Sequence, residues 1–171
     1  NLVAGMMIKL GYFWYRIAVV TDNTHITLST KYHGSNLSGS TYVAAVMIEN
    51  VILKNLYVTS AGNTTDNIVF DYAANCQMEN IYSVSAGRHG IKITNSSLIF
   101  NDKIFCLSNG ADAVAGSGIY LENCDTVTFE TCNISQNKDY GLYVKSCANT
   151  GIILFYANDN TTGVYLDTTQ D

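Results

Sequence analysis

The chain has 171 residues, which is enough for one domain with its own hydrophobic core. Its net charge is −5, and its few Lys and Arg residues form no basic cluster that could follow a phosphate backbone, so no nucleic-acid partner is expected. Hydrophobic residues make up 47% of the sequence, but no run reaches the roughly 18 apolar residues that a membrane-spanning helix requires, so no membrane insertion is expected.

Residues 1–16 open the chain with an ambiguous pattern. Leu2, Met6 and Leu10 recur every four residues, which is typical of a short amphipathic helix, whereas the segment GYFWYR at 11–16 equally favours a strand. We interpret residues 1–16 as an N-terminal cap or as the end of a preceding segment, and residues 17–171 as one domain. Because the chain begins with Asn rather than Met, we expect it to be a fragment of a longer or processed chain.

A short motif recurs from residue 17 to the end of the chain. Its clearest copies are GIYLENC at 118–124, GLYVKSC at 141–147 and GVYLD at 163–167. Related copies begin at 17, 42, 67 and 90, so that successive starts are 25, 25, 23, 28, 23 and 22 residues apart. Apolar residues alternate with other residues after each start, which predicts a strand with one buried face. A repeat of this length indicates one structural unit stacked on itself.

Each copy carries two further alternating segments. Mostly apolar pairs follow nine and eleven residues after the start, such as Val127 and Phe129, and again after fourteen and sixteen residues. In the copy that starts at Gly90, the first of these pairs is predicted one residue early, at Leu98 and Phe100. Segments so short and so closely spaced leave no room for helices between them. Each repeat is therefore predicted to contain three short strands, and the chain six to seven such repeats.

Two other recurring positions predict contacts between neighbouring repeats. At a turn position from which an Asn side chain can bond the backbone of the neighbouring repeat lie Asn50, Asn75 and Asn149. At an outward position where the charge alternates from one repeat to the next lie Glu122, Lys145 and Asp167.

Three strands in each repeat, with the apolar residues inside, resemble the right-handed parallel β-helix family, the fold of pectate lyases, polygalacturonases and phage tailspikes. The resemblance covers residues 17–171. It implies an all-β solenoid, a single-stranded right-handed parallel β-helix of six to seven turns, spaced about 4.8 Å apart. A leucine-rich-repeat horseshoe is the main alternative, but it needs Leu and Asn at fixed places that this chain does not provide.

A resemblance of this kind specifies the fold better than the activity. The tailspike-like resemblance implies an extracellular or virion-surface domain that binds a polysaccharide or cell-surface glycan and could depolymerise it, as a polysaccharide lyase or a glycoside hydrolase. It also implies side-by-side homotrimers. The alternative is a non-catalytic structural shaft or adhesin-like module, in which the solenoid supplies length and rigidity.

Charged and aromatic residues gather at the corner just before the repeated motif. They are Asp66, Arg88, His89, Asp112, Asp139 and Tyr140. Stacking would align them along one edge, so we take as candidate catalytic residues Arg88, His89, Asp112 and Asp139, and as candidate substrate-binding residues Asp66 and Tyr140. Two carboxylates suit glycoside hydrolysis, and an Arg beside a substrate carboxylate suits polyuronate lysis. Solvated charges along a turn would give the same pattern, and the sequence leaves both interpretations open.

A tyrosine occupies the second position after the start in three consecutive copies, at Tyr120, Tyr143 and Tyr165. These rings are predicted to project outward one above another, with Lys92 continuing the column below. Flat apolar ring faces with hydroxyls at the rim would suit pyranose sugars, so we take the three tyrosines as candidate substrate-binding residues. Stacked aromatic pairs also stabilise a sheet by about 0.2–1 kcal/mol each, so a scaffold role explains the repeat as well.

Five cysteines occur, and neither their spacing nor the placement of the histidines matches a zinc site. No metal and no other cofactor is expected. Most of the cysteines fall at inward positions, where free thiols act as small apolar side chains. Cys124 and Cys147 lie on neighbouring repeats, within reach of a disulfide, so the sequence leaves this pair open between free and bonded thiols.

Overall fold

The computed structural model describes residues 1–34, 41–60, 64–110 and 116–167, and in these ranges it contains β-strands and no α-helix. The strands are β1 (Met7–Leu10), β2 (Phe13–Val20), β3 (Ile26–Leu28), β4 (Val43–Ala45), β5 (Ile48–Glu49), β6 (Ile52–Thr59), β7 (Ile68–Asp71), β8 (Ala73–Val84), β9 (Ile91–Thr94), β10 (Ser97–Leu107), β11 (Ser117–Glu122), β12 (Asp125–Ser135), β13 (Tyr140–Lys145), β14 (Ala148–Tyr156) and β15 (Thr162–Asp167). The all-β prediction is confirmed. No segment in these ranges forms a helix long and apolar enough to cross a membrane.

Most of the strands wind into a parallel β-helix of five turns. One parallel sheet, here called the first sheet, has the order β15-β13-β11-β9-β7. The long strands β14, β12, β10 and β8 also pair in parallel, and β8 pairs in turn with β5 and β6. Aligned partners in the first sheet are Ile68, Ile91, Ile119, Leu142 and Val164. Their separations of 23, 28, 23 and 22 residues are those of the predicted repeat.

Single residues in the left-handed backbone conformation divide the long strands at their corners. In β8 these residues are Asn75, with a φ of 53°, and Asn80, with a φ of 55°. Asn adopts this conformation at a lower cost than most residues, so the strand turns a corner without a loop. Each full turn therefore has the three short faces that were predicted. Asn75 Nδ2 donates to Asn50 Oδ1 at 2.6 Å, so this position does join neighbouring repeats, but the acceptor is a side chain and not the predicted backbone.

The core consists of inward columns in which each residue packs on its equivalent in the next turn. Cys76, Ile99 and Val127 form one such column, and none is more than 1% exposed. The predicted one-residue shift to Leu98 and Phe100 is wrong, because these side chains are 42% and 45% exposed.

A buried polar residue is the reason for this error. Asn101 lies between Met78 and Phe129 in an inward column and is 2% exposed. Its Nδ2 donates to Thr128 O at 3.0 Å, which offsets part of the cost of burying the amide. A polar residue at an inward position made the apolar alternation appear shifted by one residue.

The glycine that opens the motif leaves room for the next turn. A Cβ atom on Gly118 would lie 2.9 Å from the carbonyl oxygen of Gly141 and 2.8 Å from Asn137 Nδ2. That amide belongs to the asparagine column, a stack of Asn109 and Asn137, which are buried, and Asn160, which is half-buried. Asn137 Oδ1 accepts from Asn109 Nδ2 at 2.8 Å, and Asn160 Oδ1 accepts from Asn137 Nδ2 at 2.9 Å. Glycines and asparagines of successive turns thus pack together at this corner.

The predicted copy that starts at residue 17 is not a turn of the solenoid, and the copy that starts at 42 joins it only in part, since β5 and β6 pair in parallel with β8 whereas its opening strand β4 does not. Strand β1 pairs antiparallel with β2 and β4, and β2 pairs antiparallel with β3. The helix considered for residues 1–11 is also wrong, since Met7–Leu10 is a strand. Period-two alternation marks a half-buried strand but does not reveal the direction of its partner. The solenoid therefore has five turns instead of six to seven.

The antiparallel sheet lies against the side of the solenoid. Met7 and Trp14 pack with Met47 and Ala74 in a shared cluster. Trp14 Nε1 also donates to the carbonyl oxygen of Asn123 at 3.4 Å. The hairpin turn between β1 and β2 begins at Gly11, whose φ of 62° suits the first central residue of a two-residue type II′ turn. These contacts hold the hairpin beside the corner that follows β11.

All five cysteines are free thiols. Cys124 and Cys147 lie on neighbouring turns, and the backbone N–H of Cys124 donates to Cys147 Sγ at 3.3 Å. Cys124 continues an inward column of small residues that includes Ala73 and Ser96. Of the two alternatives left by the sequence, the structure has the free thiols.

Candidate functional site

The corner before the first sheet brings Asp66, Arg88 and His89 together. Arg88 donates to both carboxylate oxygens of Asp66, with Nε 2.8 Å from Oδ1, and the backbone N–H of His89 donates to the same oxygen at 3.0 Å. Burial by itself would raise the pKa of Asp66, but these hydrogen bonds outweigh it and lower that pKa. Asp66 is therefore ionised and engaged by the protein, which suits a structural ion pair better than a general acid.

His89 is a neutral, buried imidazole. Its Nδ1 accepts the backbone N–H of Ser117 at 3.1 Å, which leaves the proton of the neutral ring on Nε2. Burial lowers the pKa of His89 to about 4, although the charge of Asp66 opposes the shift. The ring stacks on Tyr120 with a centroid separation of 4.6 Å. His89 thus supports the tyrosine column from below.

Asp139 lies on the same edge and is bonded to the backbone. Its Oδ2 accepts the N–H of Gly116 at 2.9 Å, and its own N–H donates to Gly116 O at 3.1 Å. Asp66 precedes β7 and Asp139 precedes β13, three strands away, which corresponds to about 14 Å at the usual strand spacing. Catalytic carboxylate pairs lie about 5–10 Å apart, so these two do not form one. The fourth candidate, Asp112, lies outside the described residues.

Two cavities in the described part of the chain lie elsewhere. One of about 1050 Å³ is in the antiparallel sheet and is lined by Ile8, Tyr32 and neighbouring residues. The other, of about 370 Å³, lies between the hairpin turn and the solenoid, beside Lys9 and Asn123. Neither cavity includes a candidate catalytic residue.

The predicted tyrosine column is present on the outward face of the first sheet. The ring centroids of Tyr120 and Tyr143 lie 5.1 Å apart, and those of Tyr143 and Tyr165 lie 5.2 Å apart. Their interplanar angles of 8° and 25° mean that the rings stack on one another. The inner rings therefore offer edges and hydroxyls to the solvent, and not the flat faces expected from the sequence. Tyr165, at the end of the column, is 42% exposed.

Tyr140 joins this column from the side. Its ring centroid lies 5.1 Å from that of Tyr143, edge to face, and 5.2 Å from that of Tyr165. Lys92 is the aligned partner of Tyr120 on the next strand, as predicted. We call Tyr120, Tyr140, Tyr143 and Tyr165 together the tyrosine face.

A strip of hydrogen-bonding groups runs beside the rings. Tyr120 donates to Glu122 Oε2 and Tyr143 to Asp167 Oδ2, both at 3.0 Å. Lys145 Nζ lies 3.2 Å from Glu122 Oε1, so the predicted charge alternation does form an ion pair. Burial and the bonded carboxylate together raise the pKa of Tyr120, and the same two causes raise that of Tyr143 to about 12. Both hydroxyls are therefore protonated donors at neutral pH.

Two features of the surface were not predicted from the sequence. The first is the packing of the hairpin beside the first sheet. It brings together residues more than 100 positions apart, as in the bond from Lys9 Nζ to Asn123 Oδ1, and no sequence signal predicts this contact. The second feature is another aromatic stack, on the face formed by the later part of the long strands, where Tyr57, Tyr82 and Phe105 have centroids 6.4 and 4.4 Å apart. These three residues share the fifteenth position after the starts at 42, 67 and 90, so the repeat did contain this signal.

No group of three or more His, Cys, Asp or Glu side chains among the described residues is arranged to hold a metal ion. What the described edge and the tyrosine face present instead are aromatic rings, hydroxyls, carboxylates and ammonium groups on an outward surface. Groups of this kind bind a polar ligand through hydrogen bonds.

Comparison with known proteins bears on the fold. The model of a family described as a right handed beta helix region matches residues 109–171, which include β11 to β15. No curated protein and no solved structure matches the chain. Together with the five parallel turns, the family match confirms the predicted right-handed parallel β-helix. The description of the family concerns its fold and names no ligand or reaction.

Proposed function

We propose that the tyrosine face binds a polysaccharide or cell-surface glycan, as part of an extracellular or virion-surface domain of the tailspike type. The observation that carries the proposal is an outward column of stacked tyrosines beside a strip of carboxylates and an ammonium group. A sugar presents hydroxyls at its ring edge and C–H groups on its faces. A surface that combines aromatic rings with fixed donors and acceptors is complementary to both.

Tyr165 and its neighbour Tyr140 are the best placed of the four tyrosines for contact with a sugar ring. Tyr165 is 42% exposed, and Tyr140 flanks it. The inner rings of Tyr120 and Tyr143 cover one another, so their contribution is through edges and hydroxyls. Because the turns repeat at about 4.8 Å, an extended glycan along the column would meet similar groups at each turn.

Binding is better supported than cleavage. Asp66 is held by Arg88, and the separation of Asp66 from Asp139 is too large for a catalytic pair. His89 is neutral and its Nδ1 is occupied by a backbone N–H. We therefore propose that these charged and polar side chains support the tyrosine face, and that the tyrosines contact the glycan.

The test is an array of neutral and acidic polysaccharides, followed by calorimetric titration with the oligosaccharide that binds best. Tyr165→Ser should weaken binding about tenfold, since stacking and edge contacts of one exposed ring are worth on the order of 1 kcal/mol or more. Tyr42→Ser is the matched control, because it removes an exposed ring that is not part of the tyrosine face. Reducing-end release from the same polysaccharides would identify cleavage as well. Absence of binding in the wild type, or equal loss in both variants, would contradict the proposal.

A second candidate function is a rigid, non-catalytic shaft. It is favoured by the stacked side chains on several faces, including the Tyr57–Tyr82–Phe105 stack, which stiffen the solenoid and have no need of a ligand. In that case Tyr143→Ser would lower the melting temperature, and no polysaccharide on the array would bind to the wild type.

A further inference from the structure

The smaller cavity lies between two parts of the chain that are distant in sequence. It has a volume of about 370 Å³. The hairpin turn contributes Lys9 and Tyr12, and the solenoid contributes Glu122, Asn123, Lys145 and Ser146. Since Glu122 and Lys145 also belong to the strip beside the tyrosines, the cavity adjoins the tyrosine face.

The charges around this cavity do not balance. Lys145 is paired with Glu122 at 3.2 Å, and the other oxygen of Glu122 accepts from Tyr120. Lys9 Nζ donates at 3.2 Å to the neutral amide oxygen of Asn123, and within the described ranges it has no carboxylate oxygen within 4 Å. The cavity is therefore lined by two ammonium groups and one carboxylate.

The nearest further carboxylate, Asp125, is already engaged. Its Oδ2 accepts the backbone N–H of Trp14 at 3.4 Å, and its Oδ1 accepts from Thr126 Oγ1 at 2.9 Å and from Asn149 Nδ2 at 3.2 Å. Lys9 is half-buried, and burial lowers its pKa, with Cys124 and other acidic groups nearby opposing the shift only in part. A cation held in this way gains from an anion that enters the cavity.

We propose that this cavity is an oxyanion pocket, which binds a carboxylate or sulfate group with Lys9 Nζ as the charged ligand. The group is carried by an acidic sugar of the bound glycan or is a free anion. The first source rests on the proposed function of the tyrosine face, whereas the pocket itself does not. In both cases the hairpin acts as part of the binding surface and not merely as a cover for the side of the solenoid.

The pocket is tested with sodium sulfate and sodium glucuronate, titrated at constant ionic strength, with glucose as the uncharged control. In the wild type, the amide resonance of Gly11 in the hairpin turn should shift saturably with both anions and not with glucose. Lys9→Gln should weaken both anions about tenfold or more, because it removes a charge-assisted hydrogen bond, whereas Lys9→Arg should retain most of the affinity. Lys54→Gln is the matched control, since Lys54 is paired with Glu79 at 2.7 Å on another face.

Two results would overturn the pocket: equal anion binding by the wild type and a folded Lys9→Gln variant, or no saturable shift of Gly11 in the wild type. The second readout needs no substitution, so it holds even if the Lys9 variants fold poorly. The source is decided with a glucuronate-containing oligosaccharide and its carboxyl-reduced counterpart. Tighter binding of the acidic form, lost in Tyr165→Ser, assigns the anion to a glycan. The opposite result is that Tyr165→Ser leaves all anion affinities unchanged and no oligosaccharide binds more tightly than glucuronate. In that case the pocket binds a free anion, and the glycan proposal fails while the pocket proposal stands.

Discussion

His89 is buried without a charge, so its protonation is linked to unfolding. The folded-state pKa is about 4, below the ordinary value of 6.5 that applies to the unfolded chain. A histidine with a lowered pKa contributes its full stability above pH 6.5, and that contribution is lost as the pH falls towards 4. Asp66, whose pKa is lowered from 3.8, contributes to acid unfolding only at still lower pH.

We predict that the wild type loses roughly 2 to 3 kcal/mol of unfolding free energy between pH 7.5 and pH 4.5 through His89 alone. His89→Asn should remove most of this loss, because its amide oxygen can accept the N–H of Ser117 and has no proton to gain. Urea unfolding at a series of pH values measures the slope. His25→Asn, at an exposed ring, is the control and should keep the wild-type slope. A His89→Asn variant that is stable at pH 7.5 and equally acid-sensitive would rule out this assignment.

For single residues, the sequence predicts well whether a side chain points inward or outward, except where a polar residue is buried in the core. The outward positions of Tyr120, Tyr143 and Tyr165 follow from the motif and are confirmed. Asn101 misleads because its burial depends on a bond to the backbone of the next turn, which no alternation pattern reveals. His89 lies on the edge where the sequence placed it, but its stacking under Tyr120 joins positions of two different turns that do not share an offset in the repeat, so the pattern did not reveal it.

At the scale of elements, the asparagine column joins successive turns through hydrogen bonds between its side-chain amides. Asn137 is 2% exposed, and its side chain accepts from Asn109 while donating to Asn160 and to the carbonyl oxygen of Cys106. Its amide also fills the space left by the motif glycine, since it would collide with a Cβ on Gly118. Removing this side chain would leave buried donors and acceptors unpaired on both sides.

We predict that Asn137→Ala destabilises the fold by about 3 kcal/mol, because each buried unpaired group costs about 1–3 kcal/mol. Asn133→Ala is the matched control on the same strand-to-corner segment. The Asn133 side chain is half-buried and accepts from Ser135 Oγ, so its loss should cost less than about 1 kcal/mol. Chemical unfolding of both variants checks the difference. Equal costs in the two variants would show that the column does not join the turns.

The strands of the solenoid were predictable from the sequence. The pairing of the strands that precede the solenoid was not. The starts from 67 onwards predict the register of the first sheet, because stacked turns force equivalent residues into alignment. The starts at 17 and 42 show the same alternation, yet the strands that open these two copies, β2 and β4, belong to an antiparallel sheet. The asparagine column was not predicted, although its members Asn109, Asn137 and Asn160 each lie nineteen residues after a motif start, at 90, 118 and 141, so the repeat did contain this signal.

At the scale of the whole molecule, the solenoid has two aromatic flanks with different surroundings. The tyrosine face is bordered by the β1–β2 hairpin and by the corner that holds the Asp66–Arg88 ion pair. The Tyr57–Tyr82–Phe105 stack has Val84 and Leu107 as the next outward residues along its strands, and lacks charged groups in that row. Tyr57 is 67% exposed. This second flank is the more apolar of the two and suits contact with another protein surface.

We propose that three copies of the chain associate side by side through this second flank, as the tailspike-like resemblance implies. Each copy in a three-fold assembly contributes two adjoining strips, which helps reach the roughly 800 Å² per partner typical of stable interfaces. Light scattering from about 1 to about 100 µM should show a mass that rises towards three chains, since assembly follows mass action. Tyr57→Lys places a charge in the interface and should weaken assembly about tenfold or more, while Val69→Lys, at an exposed position on the first sheet, should not. A monomer across this range, or equal effects of the two lysines, would exclude this flank as the trimer interface.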